Sequence, residues 1–271
     1  MSPRVAVLVE QRYQSQAQPA GLIRALGELG ATVQVHTDAE LPTRFHGVDV
    51  VVGRGRSDAL LAGLSAAQSA GVPTVDPASA IAAVRDKTLM GTLLDSADLL
   101  VPRTWAGTPA HLSAQFAAPG QWPGPGQLIA KPAWGDNSRG VAVLERHEQL
   151  AALCADQPWL VQELIPFTGA DLKLYVIGED IWAVRKPSPV LACRAAELGS
   201  IAVTPAMRRI AAVCGELFGL SLYGVDCVLR LDADGAEQEI VVIEVNDFPT
   251  YTAVSDADHR LAVHVLSRIA S

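Results

Sequence analysis

The chain has 271 residues, 49% of them hydrophobic and 18% charged, with a formal net charge of −8. This composition argues against a disordered chain, and the acidity argues against a nucleic-acid binder with a basic stripe and weighs against a highly phosphorylated substrate. Cys154, Cys193, Cys214 and Cys227 are scattered with no C-x-x-C pair, which argues against a zinc site or disulfide framework and fits a cytoplasmic setting.

The apolar run at residues 5–9 is too short for a signal peptide and reads as a strand covered on both faces. Residues 19–29 follow with Leu22, Ile23, Leu26 and Leu29 at helical spacing, stopped by Gly30. Strands are expected at 32–36 and 48–52, a helix at 60–70 with Leu60, Leu61, Leu64 and Ala67 on one face, and a strand at 72–75. This alternation predicts a small parallel α/β lobe over residues 1–80.

Asp86 is placed to cap a helix beginning at Lys87, with Leu89, Leu93 and Leu94 expected to face inward. Residues 101–105 read as extended, 109–115 as a short helix and 117–127 as a Pro/Gly surface loop. Strands at 128–132, 141–144 and 159–163, with helical residues 147–154, complete an α+β lobe over 81–165. The last lobe, 166–271, is expected to be mainly antiparallel. Its strands are 173–177, 181–185, 224–231 and 239–245, and its helices 205–219 and 257–270. No run approaches the ~20 apolar residues of a membrane span, so neither membrane nor nucleic acid is expected as a partner.

Three clusters carry chemistry. In the first, Lys131 ends a strand and a Gly-bounded polar loop, Gly135 to Gly140 with Ser138 within it, leads into the next. Such a loop can present backbone N–H groups to phosphate oxygens, with lysine as a point charge, although Gly, Asp, Asn and Ser also suit an ordinary hairpin. In the second, Glu244 and Asn246 stand two apart on an apolar strand and so share a face, with Asp226 expected on the neighbouring strand. Burying two carboxylates together without a cation is costly, and an oxygen-rich set suits Mg²⁺; the alternative, that one or both face water, fits the apolar flanks less well. In the third, Gln162, Glu163, Leu164 and Ile165 form a strand running into Pro166, where extended backbone can meet a planar base edge, although on these residues alone an ordinary strand end with Glu163 exposed fits better. Lys173 lies between Leu172 and Leu174, pointing away from a buried face, and Arg185 and Lys186 end the next strand. Gly53-Arg54-Gly55-Arg56 lacks a dinucleotide fingerprint and reads as a loop in which Arg54 or Arg56 can touch substrate.

The order of these features over residues 70–256 resembles the ATP-grasp superfamily. Arg85-Asp86-Lys87, Gly224-Val225-Asp226 and Glu244-Val245-Asn246 resemble the RimK-type amino-acid ligases. The stretches 172–179, 184–188 and Asn246-Asp247-Phe248-Pro249 resemble the inositol trisphosphate kinases. The resemblance implies a fold with a parallel α/β N-terminal lobe and two α+β lobes that clamp ATP. It implies that Lys87, Lys131 and the loop from Gly135 to Gly140 hold the phosphates. Glu163, with Gln162 and the Leu164 and Ile165 backbone, would meet adenine, and Asp171 the ribose. Asp226, Glu244 and Asn246 would bind one or two Mg²⁺ ions, replaceable by Mn²⁺. Lys173, Arg185 and Lys186 would line the catalytic side. Thr250 departs from the glycine that both branches have after the proline. The implied activity is ligation of a carboxylate to an amine through an acylphosphate. The alternatives are phosphorylation of a polyol phosphate and a non-catalytic ATP-binding module. The implied partner is a small molecule, with monomer and homodimer both open.

Overall fold

The computed structural model describes residues 2–124, 126–134, 140–193, 195 and 197–270. The first strand, β1 (Arg4–Val9), pairs in parallel with β2 (Thr32–Thr37) and β3 (Val50–Arg54), and β4 (Thr74–Val75) extends the sheet to the order β2-β1-β3-β4. Helix α1 (Ala17–Glu28) covers one face and α2 (Asp58–Ser69) the other. Val5, Val7 and Val9 pack with Leu22 and Leu26, while Ala6 and Leu8 pack with Leu60 and Leu64. Two covered faces explain why the strand is apolar at every position.

Helices α3 (Ala78–Arg85) and α4 (Lys87–Asp95) lead out of this lobe. The sequence pattern does not announce α3, whose residues are mostly small. Asp86 caps α4 as expected, accepting from the N–H groups of Thr88 at 2.9 Å and Leu89 at 3.1 Å. The inward face differs from expectation, because Lys87, Met90 and Leu94 are buried whereas Leu89 is exposed. The cap sets the helix phase, and steps of three and four residues from Lys87 define the covered stripe.

Strands β5 (Thr104–Gly107), β6 (Leu128–Pro132), β7 (Ala142–Leu144) and β8 (Trp159–Glu163) form an antiparallel sheet in the order β5-β8-β6-β7. Helix α5 (Pro109–Ala117) and a 3₁₀ turn at His147–Ala152 cover its one face, burying Leu112, Phe116 and Leu150 against Leu128, Ala130 and Val161. Strand alternation then turns Ile129, Lys131 and Gln162 to the opposite face.

The remaining strands are β9 (Ala170–Ile177), β10 (Asp180–Pro187), β11 (Gly199–Ile201), β12 (Leu222–Leu231) and β13 (Glu237–Asp247), antiparallel in the order β11-β10-β9-β12-β13. Leu172, Leu174, Val225, Cys227 and Val245 pack on one face with α4 and with α6 (Pro205–Phe218). On the other face Tyr175, Leu222, Phe248 and Tyr251 join the core of the first lobe, together with α7 (Ala257–Ser267). No helix among the described residues is long and apolar enough to cross a membrane.

Asp76 is a joint between the first and last lobes. Its buried carboxylate accepts from Ser221 N at 2.7 Å, Ser221 Oγ at 2.6 Å and Leu222 N at 3.1 Å, at the start of β12. Burial pushes its pKa from 3.8 up to about 6, against the pull of those hydrogen bonds. The folded state therefore binds a proton more readily than the unfolded chain between these values. This group's contribution to stability is greatest below the lower value, falls as pH rises through the window and is constant above it. The displacement corresponds to roughly 3 kcal/mol. In urea unfolding from pH 3.5 to 7, the difference between the parent and Asp76→Asn is expected to change by up to that amount across the window. Parallel curves would show that Asp76 does not titrate there.

Candidate active site

A cavity of about 580 Å³ lies where the three lobes meet. One wall comes from β6 and β8, whose alternation presents Ile129, Lys131 and Gln162. The segment after β8 adds Glu163, Leu164 and Ile165. Glu163 N–H donates to Arg103 O at 2.9 Å and Leu164 N–H to Gln127 O at 2.8 Å. Leu164 N–H is thus committed to the protein. Apolar Ile165, Phe167, Val228 and Ile243 pack together beside this segment.

The facing wall is the sheet of β9, β12 and β13. Asp171, Lys173 and Tyr175 alternate along β9 and line the cavity, while Leu172 and Leu174 point into the core. Asp226 is in register with Lys173 on one side and Glu244 on the other. The register shifts by one residue between Asp226 and Cys227, so Ile243 is an extra residue on β13. This bulge brings both Ile243 and Glu244 to the cavity wall, where regular alternation would have sent one of them into the core.

Two carboxylates side by side would repel, and lysines answer them. Lys87 Nζ lies 2.5 Å from Glu244 Oε1, and Lys173 Nζ lies 2.9 Å from Asp226 Oδ1. Burial raises the Glu244 carboxyl, but Lys87 and Lys131 outweigh it and hold its pKa below the usual value. Burial likewise lowers Lys173, but Asp226 outweighs it and leaves its pKa raised. Lys131 is buried, and desolvation pulls its pKa down to about 8, with Glu244 opposing.

The first lobe supplies the third wall. The loop after β3 is fixed by Glu10, whose Oε2 accepts from Arg56 N at 2.8 Å and Ser57 N at 3.2 Å. Arg56 reaches across to Asp247, Nε to Oδ1 at 2.7 Å, and donates from Nη2 to Asn246 Oδ1 at 3.1 Å. Asn246 Nδ2 donates in turn to Asp226 Oδ2 at 2.9 Å. Tyr13, Asp247 and Phe248 also line the cavity. Asp247 and Phe248 belong to the Asn-Asp-Phe-Pro stretch that marks the resemblance without having been assigned a role by it, and nothing in the local sequence marks Tyr13.

Lys87, Lys131, Lys173, Lys186, Asp171, Asp226, Glu244 and Asn246 thus converge on one cavity with Gln162, Glu163, Leu164 and Ile165. Lys186 donates to the Tyr175 hydroxyl at 2.7 Å. Arg185 does not join them. It sits opposite Leu172, on the core side of the sheet, and its guanidinium pairs with Glu237. A strand presents only one of two consecutive residues to a given face, so Lys186 excludes Arg185. Gly140 has φ +75° and stands against Pro132, outside the cavity lining, whereas Gly135 and Ser138 lie outside the described residues. Among the described residues no group of three or more His, Cys, Asp or Glu is placed to hold a metal. The expected Mg²⁺ set has two carboxylates and an amide, and the amide oxygen accepts from Arg56.

No family model matches the chain. Two curated relatives are similar to it: inositol-tetrakisphosphate 1-kinase 3 of Arabidopsis thaliana, 25% identical over 53% of this chain and 48% of the relative, and inositol-tetrakisphosphate 1-kinase 4 of Glycine max, 23% identical over 53% and 50%. The chain thus spans about half the length of the curated relatives it matches. Solved structures match along nearly the whole chain. A RimK-domain ATP-grasp protein from Sphaerobacter thermophilus has a TM-score of 0.73 at 22% identity, covering 97% of this chain and 99% of that one. D-cycloserine synthetase DcsG has 0.73 at 19%, covering 98% and 99%. The ATP-grasp ligase PsnB, solved with precursor, Mg and ADP, has 0.70 at 19%, covering 98% of each. The chain has the ATP-grasp fold.

Glu244 opposes the desolvation of Lys131 and pairs with the buried Lys87. Glu244→Gln is expected to lower the Lys131 pKa further below about 8, read by NMR of the lysine side chains, because the opposing attraction is removed. It also leaves Lys87 buried without its partner, at a cost on the order of 3 kcal/mol in denaturant unfolding. An unmoved Lys131 titration would show that the two groups do not interact.

Proposed function

We propose that the chain is an ATP-grasp enzyme that uses Mg-ATP to join a carboxylate to an amine. The observation that carries this reading is the in-register pair Asp226 and Glu244, met by Lys87, Lys131 and Lys173 from three different elements around one cavity. A triphosphate and its metal supply the mix of charges that such a set accommodates. The likeness to ligase structures, and the Mg and ADP named with PsnB, support it.

In this reading the apolar end around Ile165, Phe167, Val228 and Ile243 receives the base, with Glu163 accepting from its amino group and Asp171 near the ribose. Lys87, Lys131 and the loop through Gly135 and Ser138 hold the phosphates. The oxygens of Asp226, Glu244 and Asn246 fit Mg²⁺, which prefers oxygen ligands and shares them with phosphate; when bound it neutralises charge on the phosphoryl oxygens. Asn246 Oδ1, which accepts from Arg56, would have to give up that contact to serve the ion. A substrate carboxylate oxygen attacks the γ-phosphorus, the bond to the bridging oxygen of ADP breaks, and an acylphosphate forms. The amine attacks the acyl carbon, loses a proton and expels phosphate. Lys173 and Lys186 balance the developing negative charge, and the protein mainly orients and neutralises.

The likeness to two curated inositol-tetrakisphosphate kinases favours a second reading, transfer of the γ-phosphate to a polyol phosphate. ATP labelled at the γ-phosphate separates the two in a pooled metabolite extract, with Asp226→Asn as control. The ligase releases free phosphate only when extract is present, whereas a stable labelled organic phosphate would replace the first reading by the second.

Lys131 allows a test of the nucleotide site itself. Its charge is full below about pH 8 and lost above, while bound phosphate raises its pKa. ATP affinity is therefore expected to fall as pH rises past that value. Lys131→Met should bind ATP roughly tenfold or more weakly at neutral pH and show a flatter profile. Equal affinity and equal pH dependence in the two proteins would remove Lys131 from the site.

A further inference from the structure

The first lobe places into the cavity one arginine that the nucleotide reading leaves unused. Arg54, the last residue of β3, is 6% exposed and lines the cavity. Its guanidinium carbon lies 4.1 Å from the centre of the Tyr13 ring and 5.5 Å from that of Phe248. Nη2 donates to Gln16 Oε1, a neutral acceptor, at 3.3 Å, and Nε has no hydrogen-bond partner among the described residues. No carboxylate among the described residues forms an ion pair with it; the neighbouring Asp247 is engaged by Arg56. Lys87 and Lys173, in the same cavity, each have a carboxylate partner. Asp247 attracts Arg54 but is shared with Arg56, and burial still pulls the Arg54 pKa down, so two buried guanidinium groups face one carboxylate and one positive charge is left over for a ligand anion.

We infer that Arg54 anchors a carboxylate of the small acid substrate, at the end of the cavity formed by Tyr13, Gln16 and Phe248. This rests on the ligase reading. The planar fork of arginine matches a carboxylate in two parallel hydrogen bonds, and the flanking rings fix its plane. The local charge favours a carboxylate over a phosphate: Asp247 stands beside Arg54 as well as Arg56 and repels the further negative charge of a polyanion. One uncompensated positive charge balances a monoanion, whereas a polyphosphate needs several.

The test titrates the full chain with succinate, L-glutamate, inorganic phosphate and uncharged succinamide, with and without a non-hydrolysable ATP analogue and Mg²⁺. Binding is read by thermal shift and ligand-observed NMR, and Arg54→Met and Arg54→Lys run beside the parent. Succinate or L-glutamate is expected to bind the parent and to bind Arg54→Met roughly tenfold or more weakly, with Arg54→Lys between them. Succinamide should not bind. Without ligand, Arg54→Met should melt no lower than the parent, because it removes an uncompensated buried charge and keeps the apolar contact. A lower melting temperature with unchanged acid binding would make Arg54 a structural residue and overturn the inference. So would binding of phosphate in preference to the acids, or no binding of either acid to the parent. Affinity for the ATP analogue, measured on the same samples, keeps the two readings apart. Its absence from the parent sinks the ligase reading, while the titration without nucleotide still decides the role of Arg54.

Discussion

The repulsion between Asp226 and Glu244 is the constraint around which this molecule is arranged. Antiparallel pairing of β12 and β13 sets the two carboxylates opposite each other in a partly buried wall. At low dielectric two adjacent carboxylates need cations close by. The cations come from separate parts of the chain: Lys87 from the first turn of α4, Lys131 from the end of β6 and Lys173 from β9. Arg56, from the first lobe, completes the network through Asn246 and Asp247. Charge balance at one pair of residues thus draws all three lobes onto one cavity.

The side chains available for that balance depend on the phase of single strands. On β9 and β10 the alternation is regular, so Lys173 and Lys186 face the cavity while Arg185 turns away to Glu237. On β13 the extra residue Ile243 breaks the alternation and puts an apolar side chain and the carboxylate of Glu244 on the same wall. The apolar end and the charged end of the cavity meet at this bulge. A one-residue change in register would send Glu244 into the core occupied by Val242 and Val245.

Much of the fold was legible because burial imposes periodicity. The run Val5, Ala6, Val7, Leu8, Val9 announced a strand covered on both sides, and the antiparallel strands around Asp226 and Glu244 followed from their apolar flanks. Asp86 was legible as a cap because its carboxylate meets the first amides of the helix it precedes. The errors have equally local causes. Residues 78–85 form α3 from a stretch of mostly small residues with little amphipathic contrast. Leu89 was expected inside because it is apolar, yet the cap at Asp86 turned it to the surface. Arg54 and Arg56 were noticed only as cations in a loop. Nothing in their spacing says that one is paired with Asp247 and the other held between Tyr13 and Phe248.

The amino-acid sequence by itself determined most of the element order, the parallel and antiparallel sheets, and which lysines, carboxylates and amide were candidates for the site. These depend on periodicity and on residue chemistry within a few positions. The tertiary structure decided which charges meet. Lys87 and Glu244 are 157 residues apart, and Arg56 and Asn246 are 190 apart. Their pairing, the lowered pKa of Lys131 and the burial of Arg54 beside a carboxylate shared with Arg56 arise only when distant strands bring them out of water together. Desolvation and Coulomb attraction act through space, so local sequence pattern carries no record of them.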